Sequence, residues 1–353
     1  MILTNCPACA APLPPLAAKQ CSRCKTRYCG SACQAQHWKK GGHDKLCKKI
    51  RKGGGAEQYH ADNKYMEAVA VAVEKCAEDT KGQTCYICME AVHSRTGEGL
   101  VRGCACHTTE GFVHVSCLAE QAKILVAEAE ENNMEPQPRW ARWHTCGLCE
   151  QDYHGVVSCA LGWACWKTYM GHPEADRLRL GAMSQLGSGL YAAKHYEDAL
   201  SVGEAELFSM RRRGAPAEHI LFAQGNLANT YEQLGHVETL RMRQEVYFGR
   251  LKLDGEEYIE TLREASNYAN YLATLHRSKE AKSLLRKTMP VARRVIGDSD
   301  DLTLRMRMAY GMALYEDSAA TLDDLREAVT TLEDVARTAQ RVFRTLAPAR
   351  HGH

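Results

Sequence analysis

The sequence predicts small metal-stabilised modules followed by an all-α solenoid of helical repeats, mostly helical overall. Three observations predict it. Seventeen cysteines lie within the first 165 of 353 residues, sixteen of the metal-binding side chains among them and their histidines fall into short pairs, and the cysteine-free half repeats itself. The 45% hydrophobic and 25% charged content, with a formal net charge of +2, excludes a disordered or fibrous chain. No apolar run approaches the roughly 18 residues of a membrane span. The opening stretch MILTNCPACAAPLPPLAA has no basic region and is broken by prolines, so a cleaved signal peptide is not expected. An intracellular setting, cytoplasmic or nuclear, is expected, where thiols stay reduced and free to bind metal.

The first cluster occupies residues 6–47: CPAC, CSRC, YCGSAC and HDKLC. These are the pairs Cys6 with Cys9, Cys21 with Cys24, Cys29 with Cys33, and His43 with Cys47. A lone Cys-x-x-Cys suits a redox centre equally well, but four phased pairs point to two tetrahedral zinc sites with no open position. The string YCGSACQAQHWKKGGHDKLC resembles the MYND zinc finger in the aromatic before Cys29, the Gln after Cys33 and the pair His37 and Trp38. That resemblance implies interleaved sites, one of Cys6, Cys9, Cys29 and Cys33, the other of Cys21, Cys24, His43 and Cys47. Gly41 and Gly42 extend the segment beyond the family pattern and leave His37 as a second candidate. The three-residue spacing to Cys47 favours His43.

Residues 1–55 carry eleven lysines and arginines against one acid, Asp44. Seven thiolates and two zinc ions would bring this module to about +7. A solvated face or acidic protein partners are preferred to nucleic acid, because aromatic and basic residues do not interleave as in a base-stacking surface. APLPPL at 11–16 reads as a rigid loop between ligand pairs.

The second cluster reads CYIC, CAC, HVSC and CGLC between residues 85 and 149. Its eight candidates are Cys85, Cys88, Cys104, Cys106, His114, Cys117, Cys146 and Cys149. The single-residue gap in CAC and the histidine in fifth place resemble the RING-CH variant of the RING finger. The resemblance implies one zinc on Cys85, Cys88, His114 and Cys117, a second on Cys104, Cys106, Cys146 and Cys149, and a ubiquitin-conjugating enzyme held against Ile87. Two departures from the family stand out: Gln121 stands where a Trp is usual, and Glu150 and Gln151 follow the last ligand where a basic residue is common. A helix over LAEQAKILVAEAEENN and the aromatic pair Trp140 and Trp143 fill the long gap before Cys146, either as a replacement contact or as cover for the zinc core. Cys76, Cys159 and Cys165 read as buried small hydrophobes, and His107 as an exposed loop residue.

The run KKIRKGGGAEQ marks a boundary, and residues 56–79 have helical character. Further on, a shift of 41 residues aligns 186–199 with 227–240 and 268–281, and a looser copy starts near Tyr310 with about five extra residues in its turn. Each unit is expected to be two helices, with Gly297 and DSDD as a stop and a new cap. These units resemble the tetratricopeptide repeats of kinesin light chains. Asn226 and Asn229 recur 41 residues later as Asn267 and Asn270, with Gln185 and Ser188 one copy earlier; the resemblance implies a polar peptide-binding strip through all six. The expected modules are 1–52, a linker and helix over 53–84, a finger over 85–155, repeats over 156–347 and a tail of 348–353.

Two functions compete. One is a non-catalytic adaptor whose fingers and repeats hold protein or peptide partners, with four structural zinc ions; the other is a RING-type ubiquitin ligase whose repeats select substrate. A lysine methyltransferase, suggested by MYND fingers found beside SET domains, fails because helical repeats occupy the only room for the catalytic fold.

Overall fold

A computed structural model describes residues 3–13, 18–106, 111–134 and 137–346. His107, Pro14 to Leu16 of the proline-rich loop and the tail 348–353 lie outside the described residues. The chain forms two compact units, Met1–Gly214 and Ala215–His353. Among the described residues no helix is long and apolar enough to cross a membrane.

The first finger has little apolar bulk. Its hairpin β1 (Lys19–Gln20) and β2 (Arg27–Tyr28) precedes α1 (Ser31–Lys39) and α2 (His43–Lys52). The buried set is Cys6, Leu13, Cys21, Cys24, Tyr28, Cys47 and Ile50, so over half of its core residues are candidate ligands. Helix α2 turns His43, Cys47 and Ile50 inward at the four- and three-residue spacing of one helical face.

The glycine run is not the expected free linker. Gly54 and Gly55 take left-handed φ of 84° and 106°, and the next amide, Ala56 N, donates to Cys24 O at 2.9 Å. Only a residue without Cβ makes that turn cheaply. It launches α3 (Ala56–Thr80) directly from the finger. The division between the two compact units falls after Gly214, inside the repeats.

The second module contains α4 (Val115–Glu131), α5 (Gln137–Trp140) and a 3-10 turn at Ala141–Trp143, followed by α6 (Gly155–Tyr169). Residues 157–166 of α6 are buried without a break, as expected for a helix enclosed on all sides. One part of it, with Val157, Ala160 and Leu161, joins the core of the second cysteine cluster; the other, with Trp163 and Trp166, packs with Leu186 and Leu190. Sequence patterning assigned this helix to the repeats, whereas it is shared with the zinc module. Trp143 is fully buried and meets Tyr169 edge-on at 5.8 Å, and Trp140 lies on Gly181, so neither tryptophan serves as an exposed contact.

Four helix pairs follow. They are α7 (Arg177–Ala192) with α8 (Tyr196–Arg212), α9 (Ala217–Gln233) with α10 (Thr239–Asp254), α11 (Ile259–Thr274) with α12 (Ser278–Ile296), and α13 (Asp301–Glu316) with α14 (Leu322–Leu346). These are tetratricopeptide-like units. Their turns repeat at the 41-residue period: Lys194, Gly235 and His276 all have positive φ, between 57° and 66°. The following amides of His195, His236 and Arg277 donate to Leu190, Tyr231 and Leu272 carbonyls, each at 2.9 Å, closing the helix end in the same way three times. The last pair is joined by a five-residue turn, 317–321, as long as the turn 234–238 and without the roughly five extra residues expected, and Asp300 caps α13 through Leu302 N at 2.8 Å.

Candidate metal centres

Sixteen side chains converge in four sets: Cys6, Cys9, Cys29 and Cys33; Cys21, Cys24, His43 and Cys47; Cys85, Cys88, His114 and Cys117; and Cys104, Cys106, Cys146 and Cys149. Within each set all ligand atoms lie within 4.8 Å of one another. On a tetrahedral zinc with bonds of about 2.3 Å, sulfurs lie roughly 3.8 Å apart. Here Cys9 and Cys29 are 3.6 Å apart, Cys21 and Cys47 3.8 Å, and Cys106 and Cys146 3.7 Å. The donor chemistry and spacing therefore fit zinc, with thiolate-rich closed sets and no carboxylate among them.

The local backbone explains why the pairs form. Each Cys-x-x-Cys is followed by a residue with left-handed φ: Ala10, Lys25, Met89 and Glu150. In each, that residue's amide donates to the carbonyl of the first cysteine, at 2.8 to 3.1 Å, while the first cysteine's amide donates five residues ahead, to Ala11, Thr26, Glu90 and Gln151. Inside two of the loops the amides of Ile87 and Leu148 point at Cys85 and Cys146 sulfurs, each at 3.4 Å. Four copies of one knuckle thus present four sulfur pairs. None of the four left-handed residues is glycine, so composition carried no sign of the turn; the Cys-x-x-Cys spacing was the available signal.

In the first finger His43 is the imidazole beside the sulfurs. Its Nε2 lies 3.4 Å from Cys24 Sγ and it is fully buried. His37 instead bonds Tyr28 Oη through Nδ1 at 3.0 Å and stacks on His43 at 5.1 Å. Burial, and then the neighbouring His37, hold the His43 imidazole below its ordinary pKa, which favours the neutral ring a metal requires. In the second finger the geometry reverses: His114 presents Nδ1, 3.3 Å from Cys88 and 3.7 Å from Cys117.

The second module is cross-braced. Its first and third pairs share one set, its second and fourth the other, and an isolated antiparallel bridge between Val101 and Val113 holds the intervening segments together. Gly111 was not singled out by its sequence. With φ of 90° it passes so close to the fourth set that an added Cβ would lie 2.8 Å from Cys106 Cβ and 3.1 Å from its sulfur.

The remaining cysteines are unsuited to metal or redox work. Cys76 is buried and donates to Arg102 O at 3.4 Å, burial pushes the Cys159 thiol up to about 11, and it holds Cys165 well above the ordinary range. Ile87 stands exposed on its knuckle with Met89, Val92 and Leu148 also exposed nearby in sequence or on the last knuckle.

The six polar strip candidates do not share one environment. Gln185 is buried and its Nε2 donates to Trp143 O at 3.2 Å, so its amide is spent inside the protein. Ser188 is exposed. On α9, Asn226 and Asn229 are half-buried, and Asn229 Oδ1 accepts from Arg243 at 2.6 Å. On α11, Asn267 is half-buried beside Glu264, whose carboxyl burial holds above its ordinary pKa, and Asn270 is exposed.

Residues 5–47 match the family model of the MYND finger. A search of curated proteins finds no match to the chain. Among solved structures, a Podosopora anserina kinesin-light-chain structure with nearly identical TPR-like repeats is 16% identical, over 65% of this chain and 98% of that one, with a TM-score of 0.44. BtubC (BKLC) from P. vanneervenii is 14% identical, over 68% and 94%, with a TM-score of 0.48. The repeat assignment stands on the helix pairs and their periodic turns.

Proposed function

We propose that this chain is a zinc-dependent, non-catalytic interaction adaptor, in which zinc holds two fingers rigid and the helical repeats bind an extended peptide. The observation that carries it is the closed character of all four ligand sets, each with three or four sulfurs and none with a carboxylate. A zinc held so is a structural brace, leaving no ligand position for substrate. Each finger then offers a surface, and the ligands themselves do no chemistry.

The peptide strip is proposed on α9 and α11 through Asn226, Asn229, Asn267 and Asn270. Gln185 is withdrawn because its amide is already bonded. Amides that both donate and accept suit a peptide backbone. Arg243 takes Asn229 Oδ1, which orients that amide and leaves its nitrogen as the donor. Changing Asn226 and Asn270 to Ala, the two of the four whose side chains make no hydrogen bond, should lower affinity for peptides found on an array by about tenfold while leaving the melting temperature within about 1 °C. Unchanged affinity would remove the strip.

A second reading is favoured by one observation, the exposure of Ile87 on the knuckle of the second finger. Under it, that finger recruits a ubiquitin-conjugating enzyme and the protein is a ligase. Purified protein should then build ubiquitin chains on itself with some member of a broad conjugating-enzyme panel, and Ile87→Ala should reduce this several-fold without loss of zinc. Inactivity across the panel leaves the adaptor.

A further inference from the structure

We propose that the first finger docks an Asp/Glu-rich segment of a partner protein on a lysine stripe along α2. The stripe is Lys45, Lys48, Lys49 and Lys52. All four are exposed, on the side away from the buried His43, Cys47 and Ile50. Their spacing of three and four residues aligns them over about 10 Å of helix.

Six further exposed lysines and arginines, among them Lys39 and Lys40, belong to the same finger, which holds a single acid, Asp44. Among the described residues no ion pair or side-chain hydrogen bond involves any of the four stripe lysines. Like charges one helical turn apart repel, which disfavours the helix that carries them. A finger with so small a core carries this surplus because its ligands hold the helix in place. The surplus is also local. Outside residues 1–55 the chain has 34 lysines and arginines against 42 acids, since eleven of 45 bases and one of 43 acids lie within them. The charge belongs to one module and is not a general property of the molecule.

An acidic peptide fits this face better than a nucleic acid does. The finger's exposed aromatic, Trp38, already has the Arg23 guanidinium 6.0 Å over its ring and His43 edge-on at 5.7 Å, which leaves no free stacking platform for bases. The stripe is all lysine, a set of point charges without the fork that reads phosphate in two places. A long polyanion would also meet a remainder that is net negative, whereas a short acidic segment would not. Leu46 is exposed on the same helix, beside Lys45 and one turn from Lys49, and offers an apolar contact for an aliphatic side chain of the partner. The expected occupant is therefore an acidic segment interrupted by leucine or a similar residue.

This inference rests on the adaptor reading of the finger and not on the peptide strip or the ligase reading, so its failure leaves those intact. The test is fluorescence anisotropy with full-length, zinc-loaded protein and three probes: a labelled Glu-rich peptide carrying leucines, the same peptide with glutamine for glutamate, and a single-stranded DNA of matched charge. Binding is expected for the acidic peptide, weaker at higher salt and absent for the glutamine peptide. The quadruple variant Lys45→Gln, Lys48→Gln, Lys49→Gln, Lys52→Gln should weaken it about tenfold or more at unchanged zinc content. Should that variant lose zinc, Lys49→Gln with Lys52→Gln, both beyond the last ligand Cys47, carries the test with an expected loss of about threefold. Wild-type affinity in a zinc-loaded variant, equal binding of the glutamine peptide, or DNA displacing the acidic peptide at equal charge would overturn the proposal. So would self-association of the chain that blocks the peptide in sedimentation experiments.

Discussion

Cys117→Ser is expected to lower the metal content from four zinc ions per chain to two and to unfold the second finger. Each structural zinc contributes on the order of 10 kcal/mol to folding, so one lost site is comparable to the whole stability of a typical domain. Both sites of this finger go together because Cys85, Cys104, Cys106, Cys117 and Cys146 share one buried cluster with Val113, Leu118 and Val157. Damage should continue into α3 and α6, which line that cluster. The unit Ala215–His353 should keep its helices, since its core of Leu262, Leu285, Met306 and Tyr310 contains no cysteine. Elemental analysis and circular dichroism check both halves. Three zinc ions with an unchanged melt would show the sites to be independent. Gradual chelation of wild-type protein should empty the Cys6, Cys9, Cys29 and Cys33 set first, because Cys9 and Cys29 are exposed whereas the Cys21, Cys24, His43 and Cys47 set is buried throughout.

The second large effect is expected at Gly189. Helices α6 and α7 approach so closely that a Cβ on Gly189 would lie 2.6 Å from Ser158 O and 3.1 Å from Cys159 Cα, and one on Gly162 would lie 3.1 Å from Leu186 Cα. The obstacles are backbone atoms, which cannot rotate away as a side chain would. Gly189→Ala should therefore force the helices apart at a cost of about 2–3 kcal/mol, lowering the melting temperature of the Met1–Gly214 unit by roughly 5–10 °C. Gly187→Ala on the same helix is the control. Its Cβ would meet Val202 at an ordinary 3.8 Å, and in a helix interior alanine is favoured over glycine by up to about 1 kcal/mol. Equal melting of the two variants would show that the close approach is not maintained in solution.

The ligand pairs and the helix pairs were legible in the sequence because both are local. Coordination requires donors a few residues apart on one turn of chain, and a repeat announces itself by its period, as Leu190, Tyr231 and Leu272 do at the three closing turns. Long-range contacts left weaker marks. Gln185 fitted a polar ladder by alignment, yet its position opposite Trp143 O depends on how α7 meets a loop forty-two residues earlier. Trp140 and Trp143 looked available beside a zinc site, but the nearest large surface was the aromatic face of Tyr169. The glycine run at 53–55 is permissive in isolation; it is a fixed turn here because its own amides close the end of α2 on Lys49, Ile50 and Arg51 carbonyls and Cys24 O, far off in sequence, accepts the amide that follows. By itself, then, the sequence determined which residues can bind zinc and that the second half folds as paired helices. Tertiary structure alone decided which helix the second module shares with the repeats and which polar side chains remain free, because those outcomes depend on burial against distant segments.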